Sequence, residues 1–492
     1  MLVTLVACYF AVTICIGFYA ARRVKNSADY LVAGRSLPLY MNTATVFATW
    51  FGAELILAVS STFLKEGLQG VVGDPFGAAF CLIFVALFLA APYYRLKLMT
   101  VGDFYKKRYN RTVELASAAA ISISYLGWSS ANLVALGIVI HTVSGNTITL
   151  EQGIVLGAVI VGVYTLFGGM WSVAFTDLFQ TVIIVAGLIY IAWMLAGMAG
   201  GVDKVVATAQ ASDRLKFFPG ASLHDWLGFI AAFVTMALGS VAQQDVFQRV
   251  TSARTEKIAR QGTLLGGSLY LLMAFIPMFI AVSALLIDPA MVKQMLSNEN
   301  DFQQVLPTLI LQRTPLFAQV LFFGALLSAI LSTASGTLLA PTAVITENVI
   351  QPLWGHKLSD RKMLVLLRLI LIGFTCCVTL FALQSESSMY QMVQDAYKVT
   401  LVAAFTPLIF GMFWRRATPQ GALLSMACGV VAWQYAEHFM SDALVPPQLV
   451  GLGSAIVGMI VGSLAPTLLG GQGHPEIVDL ARQPEVADNP PA

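Results

Sequence analysis

Uncharged stretches of Val, Leu, Ile, Ala and Phe, each about twenty residues long, alternate with short polar segments along nearly the whole chain. A helix needs roughly 20 apolar residues to cross the hydrocarbon core of a bilayer. Windows of that size predict thirteen spans, at about residues 2–20, 41–64, 75–94, 113–141, 151–167, 171–199, 225–248, 262–287, 316–340, 363–384, 389–413, 419–439 and 447–470. The pattern therefore predicts an all-α polytopic membrane protein, with residues 1–470 forming a single transmembrane domain. The end of the chain, GGQGHPEIVDLARQPEVADNPPA, is polar and Pro-containing, and 471–492 reads as a disordered cytoplasmic tail.

Composition agrees and removes the alternative of several soluble domains. Of 492 residues 58% are hydrophobic and only 11% are charged, with a mean hydropathy of +0.77. Soluble domains carry about 25% charged residues. The net charge of +2 matters less than where the charges stand. With the N-terminus outside, 21 of the 28 Lys and Arg fall in inner loops and 7 in outer ones, which predicts that orientation and a cytoplasmic C-terminus. The first run resembles a signal peptide only superficially, because Arg22, Arg23 and Lys25 follow it instead of preceding it. The expectation is a multi-pass protein of the cell's inner (plasma) membrane. All six Cys lie in apolar runs without a disulfide or metal-ligand spacing and read as small core residues.

Polar groups at membrane depth are costly, so they mark function more often than loop charges do. Four strings contain them. In TVFATWFGAELILA, Gly52 invites a break and Glu54 is too short to snorkel from mid-span; it is either a packing feature or a functional carboxylate. In GGMWSVAFTDLFQTVII, Asp177 and Gln180 share a face one turn apart, either solvated near the inner interface or part of a site. ALGSVAQQDVFQRV ends a span. There Asp245 and Arg249 read as an i, i+4 pair at the cytoplasmic helix end, with Gln243 as the better ligand-side candidate. In LFFGALLSAILSTASGTLLAPTAVI, Ser328, Ser332 and Ser335 lie on one face with Thr333 beside them. Such hydroxyls can bond back to their own helix. A row of neutral oxygens near one carboxylate also suits a hard monovalent cation, whereas Mg2+ or Ca2+ would call for more carboxylates.

At these strings the chain resembles the sodium:solute symporter family, over about residues 27–469. SADYLVAGRSLP is similar to the loop after the family's first span, and GGMWSVAFTDLFQ to its most specific signature. SAILSTAS followed by TENVIQPL resembles its sodium-binding helix, and FTPLIFGMFWRRATPQGA its late Pro-to-Trp-Arg string. The resemblance implies a LeuT-type fold: two inverted five-helix repeats, about 41–199 and 225–413, with one span before and two after. Each repeat would begin with a discontinuous helix, breaking near Gly52 and Gly239, and the solute would bind near the midplane. It implies a principal sodium site at the carbonyls of Ala48, Phe51 and Ala329 and the hydroxyls of Ser332 and Thr333. Some members hold a second sodium through a pattern that Asp177, Ser332 and Ser335 match here. The chain departs from that pattern at Gly336, so Asp177 and Ser335 serve either a second sodium or its exit route.

For the solute, ATWFGAE is similar to the corresponding string of high-affinity choline transporters, and also to transporter-like domains of some bacterial sensor kinases. Trp50 would match a cation–π Trp. A second cage position falls on Gln243, which leaves the cage incomplete, and Glu54 stands as a partner for an amine. The function implied is sodium-coupled import of a small organic solute by alternating access, with nitrogenous solutes such as amino acids or organic amines first; a transporter-like sensor, or a symporter of a sugar or carboxylate, is the alternative. No enzyme is expected, because the five His lie at span ends or in loops. Sodium, the solute and the bilayer are the expected partners, with no nucleic acid, and a monomer is the expected state.

Overall fold

The computed structural model describes residues 2–297, 302–354, 358–385, 387–440, 443–466 and 473–482. These residues form helices and no β-strand. Helix α1 (Leu2–Ala21) precedes a broken pair, α2 (Leu39–Trp50) and α3 (Glu54–Gly70), bent by 52°. Then come α4 (Val72–Leu96), α5 (Arg111–Val143) and α6 (Leu150–Ala199). A second broken pair, α7 (Leu223–Gly239) and α8 (Gln244–Thr251), leads to α9 (Glu256–Ile287) and α10 (Leu316–Val344). The series continues through α11 (Asp360–Gln384) and α12 (Met389–Phe413). Helices α13 (Pro419–Phe439) and α14 (Pro447–Leu464) pack against each other, and α15 (Glu476–Arg482) ends the described chain.

Helix α6 is 50 residues long. A straight helix of that length would run about 75 Å, more than twice the hydrocarbon thickness. It does not run straight, because Gly169 breaks it with φ 49° and ψ −142°. Only glycine takes that backbone readily, and a Cβ there would also strike the carbonyl and ring of Tyr30. The two halves correspond to the expected spans 151–167 and 171–199, so a broken helix followed by four more occurs twice along the chain.

Among the described residues ten helices are long and apolar enough to span, or eleven if the bent pair α2–α3 is one span. The expected thirteen differs at two places. The turn at Gly169 joins two expected spans into one element, and α13 carries Gln420, Gln434, Glu437 and His438, which lower its hydropathy below a spanning value. The break expected at Gly239 lies further on. Gly239 is helical, with φ −60° and ψ −34°, and the chain opens at Gln243, with φ −75° and ψ 141°. The expected disordered tail is a helix over Glu476–Arg482: Ile477 and Val478 are buried, Arg415 pairs with Asp479 at 2.8 Å, and the His474 N–H donates to the Arg108 carbonyl. Two apolar side chains in seven residues are enough to dock this segment; residues 471–472 and 483–492 of that expectation lie outside the described ones. Of the cysteines expected in the core, Cys81 is buried, whereas Cys8, Cys15, Cys376 and Cys377 face outward on apolar helix surfaces.

The core centres on α10, whose residues from Ala325 to Val344 are all buried. Helix α2 packs against α6, α9 and α10, and α10 also meets α1, α5 and α11. Lipid tails are as apolar as Leu, so membrane helices associate through close packing and polar contacts rather than the hydrophobic effect. The run STASG supplies both: small side chains for close approach and hydroxyls for bonds to neighbouring helices.

Gly169→Ala tests the turn. The backbone strain alone is of order 1–3 kcal/mol, before the clash with Tyr30. The variant is expected to unfold at a lower temperature than wild type in a detergent thermal-melt assay, and an unchanged melting temperature would show that the turn adapts.

Candidate functional site

The break in α2–α3 frees a carbonyl beside α10. Phe51 leaves the helix with ψ 72°, and the Gly52 N–H donates to the Trp50 carbonyl at 2.9 Å. In a continuous helix it would have donated to Ala48. The Thr333 hydroxyl fills the gap, 3.5 Å from the Ala48 carbonyl and 3.1 Å from that of Ala329. A Cβ on Gly52 would lie 2.8 Å from Thr333 Oγ1, so the approach depends on glycine. Three of the five expected sodium ligands, Ala48, Ala329 and Thr333, are thus gathered at one point. Phe51 is buried at the same break.

The second side-chain ligand of the expected set, Ser332, turns to another helix and donates to Asp177 Oδ1 at 2.5 Å. Asp177 is fully buried on the second half of α6, and its Oδ2 has no hydrogen-bond partner. The Ser335 hydroxyl donates to the Ser332 carbonyl at 2.9 Å. Ser328 bonds its own helix at Gly324 and the Tyr9 hydroxyl of α1 at 2.5 Å, away from this group. The one-faced row in the sequence therefore divides among three neighbours: α1, α6 and α2. The donor set around Ala48, Ala329, Ser332 and Thr333 is oxygen only. Among the described residues no group of three or more His, Cys, Asp or Glu gathers as for a transition metal. Such a set fits a hard monovalent cation.

Asp245 and Arg249 do not form the expected pair at a cytoplasmic helix end. Both are buried, at 0% and 2% exposure. Because the chain opens at Gln243, α8 restarts in the interior and carries Asp245 in its first turn. The Trp50 indole donates to Asp245 Oδ2 at 3.0 Å, the Tyr125 hydroxyl donates to Oδ1, and the Asp245 N–H donates to the Tyr125 oxygen at 2.9 Å. Arg249 Nε donates to Thr49 Oγ1 at 3.0 Å, while Nη2 has no partner. A Cβ on Gly336 would lie 2.5 Å from Nη2, so the guanidinium occupies the space a side chain at 336 would need. Its charge acts on both Asp245 and Asp177.

Rings the sequence did not single out gather around Trp50. Trp50 meets Trp128 of α5 at 5.9 Å between ring centroids and Tyr397 of α12 at 6.3 Å, nearly parallel at 18°. Trp128 and Tyr397 are 5.6 Å apart, and Tyr125 stacks on Trp128 at 6.0 Å. In this conformation the rings close on one another. Gln243 is no ring substitute. Its amide donates to Ser124 of α5 at 3.0 Å and Thr400 of α12 at 3.4 Å, tying the break to those helices. Glu54, expected beside Trp50, has no contact that places it there; it lies within electrostatic reach of Asp74, and its Oε1 is sealed without a partner. Asp74 accepts from the Tyr270 hydroxyl, and Tyr270 meets Phe51 edge-on at 6.2 Å. The only sequence signal for the missed rings was YLGW in an apolar run, where Tyr125 and Trp128 share a face. Nothing local marked Tyr397 or Asp74.

Comparison with known proteins accords with this arrangement. The profile described as the sodium:solute symporter family matches residues 30–429. The high-affinity proline transporter PutP of Bacillus subtilis is 26% identical over 444 residues, covering 87% of this chain and 91% of its own. The human high affinity choline transporter 1 is 23% identical over 437 residues, covering 86% and 74%. The structure of a Na+-coupled sialic acid symporter in a substrate-bound outward-open state superposes with a TM-score of 0.79 at 18% identity, covering 94% of this chain and 98% of that one. That likeness establishes the fold.

Thr333→Ala and Ser332→Ala each remove one oxygen with little volume. Losing such a bond costs on the order of 1 kcal/mol, several-fold in affinity. Each variant is expected to raise the Na+ concentration needed for half-maximal solute binding several-fold, whereas Ser328→Ala, directed at α1, is expected to shift it less. Wild-type Na+ dependence in both variants would show that the hydroxyls only pack.

Proposed function

Because the chain belongs to the sodium:solute symporter family, we propose that it imports a small nitrogenous solute, an amino acid or organic amine, together with sodium by alternating access. The observation that carries this reading is the junction of Thr333 with the Ala48 and Ala329 carbonyls where α2 is interrupted. A carbonyl that has lost its helical N–H, next to a hydroxyl of another helix, is a ready ligand for an ion. On this reading Ala48, Phe51, Ala329, Ser332 and Thr333 hold sodium. Asp177, reached through Ser332, and Ser335 draw the ion toward its exit, since Arg249 fills the space at Gly336 that a further ligand would need.

The solute reading rests on the rings and carboxylates. Trp50, Trp128 and Tyr397 offer π-faces that attract a cationic nitrogen, and Asp245 fixes the orientation of Trp50. Gln243 holds the neighbouring break, and Glu54 is the carboxylate of the opposite half-helix. The named relatives, transporters of proline and of choline, both carry nitrogenous solutes.

The chain is a multi-pass membrane protein. Its placement in the cell's inner membrane, with the N-terminus outside and the C-terminus cytoplasmic, follows the distribution of Lys and Arg, with buried Arg249 removed from the inner-loop count. The domain reading is one transmembrane unit over 1–470 with core repeats at about 41–199 and 225–413, each opening on a broken helix.

Sodium and solute sites that meet on α2 are linked, so each ligand raises the affinity for the other by the same factor. Uptake into proteoliposomes is expected to require an inward Na+ gradient and to vanish when K+ replaces Na+; undiminished uptake without sodium removes symport. Asp177→Asn keeps the shape and removes the charge. It is expected to raise the half-saturating Na+ concentration while leaving solute affinity at saturating Na+ near the wild-type value, and an equal loss in both would assign Asp177 a structural role.

A further inference from the structure

A cleft of about 350 Å³ opens on the outer surface between α4 and α9, away from the hydroxyls and rings described above. Ala86 and Leu87 of α4 line it, with Lys257, Arg260, Gln261 and Leu264 of α9. The two helices run antiparallel here. Arg95 grips Glu256 with two bonds, Nε to Oε2 at 2.7 Å and Nη2 to Oε1 at 2.6 Å, and a Cβ on Gly267 would lie 2.8 Å from that of Leu82. That register sets Lys257 and Arg260 at one end of the cleft and Leu87 and Leu264 at the other, about 10 Å apart along the helix axis. The cleft is charged at one end and apolar at the other.

Helix α9 has 32 residues, about 48 Å at 1.5 Å per residue, against a hydrocarbon core of roughly 30 Å. Its charged residues, Glu256, Lys257 and Arg260, all lie in the first turns, so that end stands among the lipid headgroups. Arg95 takes both oxygens of Glu256. Among the described residues Lys257 and Arg260 have no ion-pair partner. Both are exposed at the positive end of the α9 dipole, where cations are disfavoured and an anion is welcome. Beside the other end Leu87, Phe88 and Leu265 are exposed as a lipid-facing wall. A free phosphate would satisfy the basic end alone, whereas an anionic amphiphile satisfies both.

We propose that this cleft holds an anionic phospholipid, its phosphate between Lys257, Arg260 and the Gln261 amide and one acyl chain along Leu87 and Leu264. The orientation read from the Lys and Arg distribution puts it in the cytoplasmic leaflet, where anionic headgroups meet basic pockets between helices. The lipid bridges α4 and α9. Helix α9 in turn lies against α2 at Gly262 and Gly266, which face Asn42 and Val46, so the lipid braces the helix on which the first broken helix rests.

The test uses purified full-length protein stripped of lipid in detergent. It is titrated with phosphatidylglycerol or phosphatidylcholine of identical chains, and bound lipid is counted by native mass spectrometry. Each basic residue near the headgroups is worth about fivefold in affinity for an anionic lipid, so phosphatidylglycerol is expected to bind at least about tenfold more tightly. Lys257→Gln with Arg260→Gln is expected to abolish that preference. Arg361→Gln with Lys362→Gln removes the same charge from exposed positions at the start of α11 and is expected to keep it. Leu264→Ala is expected to weaken phosphatidylglycerol several-fold. Equal binding of the two lipids, or a preference that survives loss of Lys257 and Arg260 or falls as far in the α11 variant, overturns the proposal. Displacement of phosphatidylglycerol by millimolar inorganic phosphate would assign the cleft to a soluble anion and overturns it too.

Discussion

Within a bilayer no water takes up a hydrogen bond that a helix leaves unmade, so every interruption of a spanning helix has to be answered by another part of the protein. The polar junctions at Thr333 and at Gln243 are two such answers. Where α2 stops, Gly52 turns its N–H to Trp50 and the Ala48 carbonyl loses its partner. The Thr333 hydroxyl stands in that gap. Where α7 gives way to α8, Gln243 is extended and its amide reaches Ser124 and Thr400. Both interruptions tie a half-helix to its neighbours through side-chain hydrogen bonds.

Helix α10 is the common partner. Within six residues it touches α1 through Ser328, α6 through Ser332 and α2 through Thr333, and Gly336 admits the Arg249 guanidinium of α8. A group that binds at Thr333 therefore acts on the broken helix that carries Trp50 of the aromatic cluster. That contiguity gives sodium and solute a physical route to influence each other without a long chain of intermediates. Arg249 stands between the two sides, close to Asp245 under the rings and acting on Asp177 behind the hydroxyls.

Buried charge is the second organising constraint. A lone carboxylate at this depth is expensive, and the chain places several around two sites with one guanidinium to offset them. Asp245 is met by the Trp50 indole and the Tyr125 hydroxyl and Asp177 by the Ser332 hydroxyl, so hydrogen bonds from three other helices offset part of that cost.

The sequence by itself determined much of this. Runs of about twenty apolar residues set the helical class, and Gly52 marked the break in α2 because a small residue beside Trp50 and Glu54 admits Thr333. The Ser and Thr of STASG and the Asp177 signature identified the oxygen set, since hydroxyls in an uncharged helix have few other reasons to cluster. Only the tertiary structure decided which hydroxyl faces which helix: 3.6 residues per turn puts Ser328, Ser332 and Ser335 on one side, but Ser328 reaches α1, Ser332 reaches α6 and Ser335 bonds its own helix, while Thr333 beside them reaches α2. It moved the second break from Gly239 to Gln243, and with it carried Asp245 and Arg249 from a presumed helix end into the interior. It also assembled the aromatic cluster around Trp50 from α5 and α12, with Trp128 and Tyr397 lying 78 and 347 positions from Trp50 along the chain. Residues that far apart are brought together by helix packing alone, and no local pattern of hydrophobic and polar positions records it.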